Sequence, residues 1–329
     1  MILDPTLRVL HLDGSGSGTC GDCMLKGWFS YVAGRSAGRQ GGWVSRFDSV
    51  ALVAGKAVHA ALETRYRAAP SGPATPAVRE LAMSAADLVW QGKVFRDPDP
   101  DKEPEWRTDQ RCRELLSAYF DHWQDEDFVV REVEAPFSRR IGDLDGPGGK
   151  WAVLWQGRRD LTVVYRRADG EEWVMDHKTS TDERSDVVKK WTRNRGQLGY
   201  VWSRGLKTGR RPEGFVMNIL QWRKPQVEPR LNKDGTPRKQ REAKPRNEFD
   251  RVPIPVEDWM IDEWRQGVLS DAQRIIDAYG SGVWPASGKD CAFCPFFNYC
   301  TLPPCDRETA LERSGGLRPQ DWSPLTESV

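Results

Sequence analysis

The sequence lacks the features that mark several common classes of protein. Across its 329 residues, no stretch approaches the ~20 consecutive apolar residues that a membrane-spanning helix needs. The first residues show no basic region followed by an apolar run, so we expect no secretory signal, no membrane partner and a cytoplasmic location. The formal net charge is only +1, which argues against a generally basic coat for nucleic acid.

Cysteine is nearly absent from the middle of the chain. The seven cysteines occur at positions 20, 23, 112, 291, 294, 300 and 305. In a cytosolic protein, clusters near the two ends indicate metal binding rather than disulfides. The tail carries three of them in a C-x2-C-x5-C pattern, and either Cys20 or Cys23 can supply a fourth thiolate. Four thiolates suit a structural Zn²⁺ or an iron–sulfur cluster, and their spacing does not choose between the two.

The hydrophobic pattern changes from helical to strand-like along the chain. Helical spacing dominates the first part, and we interpret residues 69–127 as a helical insertion. Short segments rich in Val, Trp and Tyr follow, and we interpret residues 128–222 as the core. This order indicates an α/β fold. The clearest elements predicted in the core are the strands Trp151–Gln156, Leu161–Arg166 and Glu172–His177 and the helix Ser185–Ser203.

A basic stretch over residues 223–248 looks like an insertion. From Arg223 to Arg246, nine lysines and arginines are accompanied by only three acidic residues. A solvated surface loop and a flexible arm that contacts phosphates are about equally good interpretations of this composition.

Two carboxylates and a lysine in the predicted strands form a candidate metal site. Asp176 and Lys178 are two residues apart, so in a strand their side chains project to the same face. Asp160, on a neighbouring strand, would complete a set of hard oxygen ligands for Mg²⁺ or Mn²⁺. The alternative is a pair of ordinary turn aspartates. Lys178 discriminates between them, because a lysine beside two acids can stabilise charge on an attacked phosphate.

The flanking helices offer further candidates. His59 is either a polar residue at the edge of an amphipathic helix or an imidazole ligand for Mn²⁺. Gln197 is either a helix-surface residue or a hydrogen-bonding partner of Lys178 or a nucleotide. A basic face with one aromatic, typical of contacts to single-stranded DNA, is formed by Lys189, Lys190, Trp191, Arg193 and Arg195.

Taken in order, these residues resemble the RecB-like branch of the PD-(D/E)XK nuclease superfamily. The specific resemblance is to its iron–sulfur exonucleases, the CRISPR-associated adaptation exonuclease family and the nuclease domain of AddB, and it extends from about Gly18 to Cys300. Tyr200 departs from the pattern because it follows Gln197 by three residues instead of four. The segments that match the branch's histidine, second, D-x-K and Q-x-x-x-Y motifs are Gly55–Glu63, Gly157–Asp160, Asp176–Thr179 and the stretch beginning at Gln197.

The resemblance implies a particular architecture and metal site. We expect one domain over residues 1–329, with a restriction-endonuclease-like core, that is, a mixed central sheet flanked by helices. Residues 128–222 would be the catalytic core, with Lys178 and Gln197 as catalytic residues beside the two aspartates. The implied ligands of Mg²⁺ or Mn²⁺ are His59, Asp160, Asp176 and the backbone carbonyl of His177.

The resemblance also implies a 4Fe-4S cluster in preference to Zn²⁺. The cluster region would comprise residues 18–32 and 285–305 and would join the two ends of the chain. Cys23 is favoured over Cys20, because Cys23-Met24-Leu25-Lys26 is more similar to the family's Cys-Pro-Arg-Lys, although Met24 replaces the proline. The implied ligands are Cys23, Cys291, Cys294 and Cys300.

The predicted function is that of a metal-dependent DNA exonuclease that acts on single-stranded ends. It would serve recombination, repair, phage replication or CRISPR adaptation. No helicase domain accompanies the motifs, so we expect a helicase, or a recombination or CRISPR protein, as a partner wherever unwinding is needed. The alternative is a catalytically inactive iron–sulfur module for DNA binding or partner docking. The presence of His59, Asp160, Asp176 and Lys178 together argues against it.

Overall fold

A computed structural model of the protein describes residues 1–34, 41–96, 105–166, 170–223, 247–288, 291–321 and 325. The predicted basic insertion, residues 223–248, therefore lies almost entirely outside the described residues. The strands are β1 (Ile2–Asp4), β2 (Val9–Leu12), β3 (Gly41–Ser45), β4 (Phe128–Gly146), β5 (Gly149–Tyr165), β6 (Glu172–Ser180), β7 (Gly214–Gln221), β8 (Glu248–Pro255) and β9 (Leu317–Asp321).

Helices fill most of the remaining described chain. They are α1 (Gly14–Asp22), α2 (Met24–Tyr31), α3 (Val50–Ala68), α4 (Pro76–Trp90), α5 (Asp109–His122), α6 (Arg184–Trp191), α7 (Arg195–Thr208), α8 (Asp258–Ser281), α9 (Phe297–Cys300) and α10 (Pro304–Glu312). Within the described part of the chain, none of them is long and apolar enough to cross a bilayer.

Strand β5 organises a seven-stranded mixed sheet. One edge of β5 pairs antiparallel with β4 over nearly its whole length. The other edge is shared, because β2 pairs in parallel with residues 152–155 and β6 pairs antiparallel with residues 161–164. Strands β7 and β8 extend the sheet beyond β6. Residues 156–160 of β5, between the segments paired with β2 and β6, pair with neither strand, so β5 and β6 diverge there. We call the opening formed by residues 156–160 of β5 and 176–180 of β6 the fork.

Helices cover both faces of the sheet. On one face Trp155 packs with Val201 of α7 and Trp264 of α8, and on the other Met175 packs with Val58 of α3. Every residue of β7 is buried, as expected for a strand covered on both sides. The predicted α/β fold, a mixed central sheet flanked by helices, is confirmed.

The two predicted strands Trp151–Gln156 and Leu161–Arg166 are in fact one continuous strand, β5. Gly157 lies between the two predicted strands. A Cβ at Gly157 would lie 3.1 Å from the rings of both Phe137 and Tyr200. The glycine therefore makes room for two aromatic rings, and the strand passes through it without turning.

Side-chain caps explain two further differences from the predicted elements. The predicted helix Ser185–Ser203 is divided into α6 and α7, because Asn194 caps a new helix by accepting a hydrogen bond from the Gly196 N–H (2.9 Å). The Gly- and Ser-rich opening forms α1, which the sequence analysis did not predict. There Asp13 caps the helix by accepting from the Gly16 N–H at 2.8 Å.

The two ends of the chain meet in a small module of their own. Strand β3 pairs antiparallel with β9, and the Leu25 N–H donates to the Pro285 carbonyl (3.0 Å). Phe29 of α2 stacks on Phe296 with ring centroids 5.0 Å apart. We call this the terminal module. Its apolar core is separate from the two layers that cover the central sheet.

Candidate active site

The fork brings together His59 and Asp160, two of the predicted metal ligands. His59 projects from α3, and its Nδ1 lies 3.3 Å from Asp160 Oδ2. The same oxygen accepts the backbone N–H of His177 at 2.8 Å. Burial raises the pKa of Asp160, and the charge of Asp176 raises it further, while His59 and Lys178 act in the opposite direction. This buried carboxylate is therefore stable as an anion only when cations lie close to it.

Asp176 and Lys178 project to the same side of β6, as their spacing predicts. Lys178 Nζ lies 2.5 Å from Asp176 Oδ2 and 4.4 Å above the ring of Trp191. Burial acts to lower the pKa of Lys178, but Asp176 and Asp160 outweigh it, so the pKa is raised. The fork thus holds a permanently charged ammonium beside its carboxylates.

His177 faces the opposite side of β6, where its ring is buried. Its Nδ1 accepts a hydrogen bond from Asn218 Nδ2 (2.7 Å), and its ring stacks on Tyr66. Burial and the charges of His59 and Arg251 hold the pKa of His177 well below its usual value, so the imidazole is neutral. The predicted role of its backbone carbonyl as a metal ligand stays a prediction.

Behind His177 lies a set of buried polar side chains that the sequence analysis missed. Glu126 accepts hydrogen bonds from the Tyr66 hydroxyl (2.9 Å) and from both Nη atoms of Arg251 (2.5 and 3.1 Å). Asn218 also donates to the Tyr119 hydroxyl (2.8 Å). No sequence motif marks the set, because its members come from α3, α5, β6, β7, β8 and the loop before β4. We call it the back network: Arg65, Tyr66, Tyr119, Glu126, His177, Asn218 and Arg251.

Glu134 is a further site residue that the sequence analysis missed. Ligand atoms of His59, Glu134 and Asp160 all lie within 4.8 Å of one another. Glu134 Oε2 also lies 3.1 Å from Arg158 Nε. Burial, with the charge of Asp160 added, raises the pKa of Glu134 to about 8. We refer to His59, Glu134, Asp160, Asp176 and Lys178 as the fork site.

The predicted Q-x-x-x-Y helix lies against the fork site. Gln197 is buried, and its Oε1 has no hydrogen-bond partner among the described residues. The alternative in which Lys178 donates a hydrogen bond to Gln197 is not seen among the described residues, where Lys178 pairs with Asp176. Burial raises the pKa of Tyr200 well above its usual value, and the charges of Asp176 and Asp160 add to this. Tyr200 is therefore close to the carboxylates although its spacing departs from the motif.

The predicted DNA-binding residues have different surroundings. Lys189 and Lys190 are exposed on α6, and Arg193 is exposed in the turn that follows. Arg195 is already ion-paired with Asp271, and it also donates to Ser17 Oγ (2.8 Å). Trp191 supports the ammonium of Lys178. DNA contact by these residues stays a prediction.

The four predicted cluster cysteines lie in the terminal module. Cys23 occupies the N-cap of α2, Cys291 and Cys294 lie in and beside a 3-10 turn, and Cys300 ends α9. Burial raises the pKa of Cys300, and although Arg307 opposes this, the charges of the other three cysteines add to it. All four sulfurs are thus within electrostatic reach of Cys300. Among the described residues, however, no three cysteine sulfurs lie within 4.8 Å of one another.

Cys20 has a different environment from Cys23. Its thiol is buried, lies 3.9 Å from Met1 Sδ, and has a pKa that burial raises to about 12. Burial also acts to raise the pKa of Cys23, but the backbone amides of Lys26 and Leu25, together with Ser287, outweigh it and lower the pKa. Of the two N-terminal cysteines, Cys23 is the better thiolate ligand.

The sequence model of the PD-(D/E)XK nuclease superfamily matches residues 19–301, well over half of the chain. The chain therefore belongs to the PD-(D/E)XK nuclease superfamily, whose members are nucleases that use divalent metal ions. The predicted superfamily is confirmed, whereas its iron–sulfur branch stays a prediction.

Two solved structures are similar over most of the chain. One, named "Putative exonuclease", from Eubacterium rectale, is 14% identical, covers 89% of this chain and 89% of its own, and has a TM-score of 0.44. The other, SSO0001, is 12% identical, covers 76% of this chain and 83% of its own, and has a TM-score of 0.28. Nothing among the curated proteins matches the chain.

Proposed function

We propose that the protein is a Mg²⁺- or Mn²⁺-dependent deoxyribonuclease that hydrolyses single-stranded DNA from its ends. The observation that carries the proposal is the convergence of His59, Asp160, Asp176 and Lys178 at the fork. We place this activity in recombination, repair, phage replication or CRISPR adaptation. A helicase, or a recombination or CRISPR protein, is the partner that would supply single strands.

The charges of the fork site fit a divalent cation. Among the described residues, the ion-pair partners of Asp176 and Glu134 are Lys178 and Arg158, and Asp160 lies beside His59. Carboxylate oxygens with one imidazole form a donor set that suits Mg²⁺ or Mn²⁺. His59, Asp160 and Asp176 would hold the ion, together with the His177 carbonyl. Once bound, it would lower the pKa of a water molecule and screen the charge of the phosphate.

The protein's own groups would position the DNA and balance its charge. The Lys178 ammonium, held between Asp176 and the Trp191 ring, is placed to stabilise charge that develops on a phosphate oxygen. The buried Oε1 of Gln197 is an acceptor without a donor, and a bound nucleotide can supply one. The Tyr200 hydroxyl stays protonated, so it can donate a hydrogen bond.

We further propose a 4Fe-4S cluster held by Cys23, Cys291, Cys294 and Cys300. Cys300 lies within electrostatic reach of the other three sulfurs, so the four can share one metal group. The resemblance to the iron–sulfur branch favours a 4Fe-4S cluster over a single tetrahedral Zn²⁺. The cluster would fasten α2 to the C-terminal tail around the core of the terminal module.

The cluster proposal has a spectroscopic test. Protein purified without air should be brown and absorb near about 400 nm. The Cys300→Ser variant should lose this absorption, whereas Cys305→Ser, which alters an exposed cysteine on α10, should retain it. Colourless wild-type protein that carries stoichiometric zinc would overturn the cluster assignment and leave the nuclease proposal intact.

The nuclease proposal is tested with labelled DNA. End-labelled linear single strands and a circular single strand of the same sequence are incubated with the protein and Mn²⁺. We expect degradation of the linear strands and survival of the circle. Cutting should disappear in EDTA and in the variants Asp176→Ala and Lys178→Ala. Cutting that survives both substitutions would refute the site. Absence of any metal-dependent cutting by cluster-loaded protein would favour the DNA-binding or docking module.

A further inference from the structure

Glu134 occupies the position on β4 that faces Asp160 of β5. The register pairs Val133 with Leu161 and Ala135 with Arg159, which places Glu134 opposite the metal-site aspartate. Its side chain is only 8% exposed, although it lies in a long strand with many exposed residues. One ligand atom from each of His59, Glu134 and Asp160 falls within a sphere small enough for all three to contact one ion.

The backbone at Glu134 is in an unfavourable conformation for this residue type. Its φ is +47°, in the left-handed region, and of the described non-glycine residues only Arg8 shares a positive φ. A non-glycine residue in this region costs about 1–2 kcal/mol. Glycine adopts this φ without the cost, so the backbone conformation alone favours glycine at this position. A role for the carboxylate explains why the chain keeps a glutamate there.

Glu132, two residues earlier on the same strand, is a structural carboxylate whose oxygens are occupied by donors of the protein. Its oxygens receive hydrogen bonds from Arg159 (3.0 Å) and Lys207 (2.5 Å), and Arg204 lies 3.0 Å away. Among the described residues, the ion-pair partner of Glu134 is Arg158 alone, beside the anionic Asp160. Glu132 is therefore saturated by protein donors, whereas Glu134 retains an oxygen for an outside cation.

A second sign of an incomplete site lies beside His59. The buried ring of His177 meets the His59 ring edge-on, with centroids 5.9 Å apart. Because Nδ1 of His177 accepts from Asn218, the ring proton is on Nε2. This Nε2 is buried and has no hydrogen-bond partner among the described residues. A buried donor without an acceptor is costly, and it indicates that an oxygen from outside the protein belongs at this place.

We propose that Glu134 is a further ligand of the divalent cation and acts together with His59 and Asp160. The inference rests on the proposed metal-dependent function and adds to it a residue that none of the sequence motifs contains. It predicts that metal affinity, and not only cutting, depends on a side chain of β4. The site would then be assembled from α3, β4, β5 and β6, so that the sheet and one helix both contribute.

The test measures Mn²⁺ binding by calorimetry in the full chain, with its cysteine-bound cofactor in place and without DNA. The Glu134→Gln and Glu134→Gly variants should each bind Mn²⁺ at least about tenfold more weakly than the wild type. The matched control Glu132→Gln should change the dissociation constant by less than about twofold. In EDTA the Glu134→Gly variant should be at least as resistant to unfolding as the wild type, because glycine accepts the positive φ. That variant separates the loss of a ligand from the loss of fold.

Two further variants make the outcomes distinct. Arg158→Gln should bind Mn²⁺ at least as tightly as the wild type, and equal weakening by Arg158→Gln and Glu134→Gln would mean that Glu134 only pairs with Arg158. Asp160→Asn tests the underlying function. If Asp160→Asn abolishes binding while Glu134→Gln leaves it unchanged, the inference fails and the metal site stands. If the wild type does not bind Mn²⁺, the metal-dependent function itself fails.

Discussion

Asp176 and Lys178 of the fork site project from one side of strand β6 and His177 of the back network from the other, and the two sets differ in how their charges are balanced. In the back network, one carboxylate, Glu126, is surrounded by the guanidiniums of Arg65 and Arg251 and by a tyrosine hydroxyl. In the fork site, Asp176 pairs with Lys178, Glu134 pairs with Arg158, and Asp160 lies beside His59. Glu126 in the back network is balanced by cations of the protein itself, whereas the fork site gathers three carboxylates that a bound divalent cation would bring into balance.

This comparison gives each side of β6 a separate role. The back network holds His177, whose backbone N–H fixes the carboxylate of Asp160. Substitutions behind the strand should therefore reduce stability more than metal binding. Substitutions in the fork site should reduce metal binding more than stability, because removing one of several crowded carboxylates relieves repulsion.

The largest effect on stability is expected from Glu126→Gln. This change leaves Arg65 and Arg251 buried without a carboxylate partner, which typically costs about 3–5 kcal/mol. Urea unfolding in EDTA measures the loss. The control is Glu63→Gln on α3, where a partly exposed pair with Arg67 should cost less than about 1 kcal/mol. Equal losses in the two variants would show that the ion pairs of Glu126 contribute no more to the free energy of unfolding than an exposed ion pair does.

Asp176→Asn should give the clearest loss of activity. Removal of one group that stabilises charge at a reacting centre costs about 10²–10³-fold in rate, so cutting of end-labelled DNA should fall at least that far. The free energy of unfolding in EDTA should fall by less than in Glu126→Gln, because Asp160 remains beside the Lys178 ammonium. Asp186→Asn, on the exposed face of α6, serves as the control. A variant that loses stability in proportion to activity would contradict the separation of roles.

Glu132→Gln should have an intermediate effect that depends on pH. Burial acts to raise the pKa of Glu132, but Lys207, Arg159 and Arg204 outweigh it and lower the pKa to about 2. Its contribution to stability is therefore present above the unfolded-state pKa near about 4.5 and is lost as the pH falls toward 2. At pH 7 we expect the variant to be about 2 kcal/mol less stable, since the pair is only partly buried.

The pH profile of unfolding decides this prediction. The difference between wild type and Glu132→Gln should shrink steadily below about pH 4.5. A difference that stays constant from neutral pH to pH 2.5 would mean that shape, and not charge, accounts for the loss.

The smallest effect is expected from Asn218→Leu, in the centre of the back network. The substitution keeps the volume but removes the donor to His177 Nδ1 and to the Tyr119 hydroxyl, which should cost about 1–2 kcal/mol. The dissociation constant for Mn²⁺ should change by less than about twofold. Calorimetry checks the affinity and urea unfolding checks the stability. A tenfold loss of affinity would show that the two sides of β6 are coupled.

Much of the fork site could be predicted because its residues carry chemical information locally. Asp176 and Lys178 are two apart in a strand, so their common face follows from strand geometry. The structure brings them to the end of β6, and it brings His59 within 3.3 Å of Asp160. The α/β class follows from the change of hydrophobic period along the chain, whereas the mixed sheet was implied by the resemblance to the nuclease superfamily.

The residues that were missed depend on long-range register. A glutamate in a strand carries no motif, and Glu134 reaches the site only because β4 pairs with β5 in one particular register. Glu126 and Arg251 are 125 residues apart in sequence and meet only in the folded chain. The local sequence does not show that β5 continues through Gly157, because the packing of Gly157 against Phe137 and Tyr200 is a tertiary contact.

The central claim, that the fork site is incomplete without a divalent cation, has a direct thermodynamic test. The free energy of unfolding of the wild type is measured in EDTA and at rising Mn²⁺ concentration. It should increase by about 2.7 kcal/mol when free Mn²⁺ is 100 times the dissociation constant. The increase should vanish in Asp160→Asn and persist in Asn218→Leu. A wild-type protein whose stability does not respond to Mn²⁺, or an Asp160→Asn variant that responds as strongly, would contradict the account.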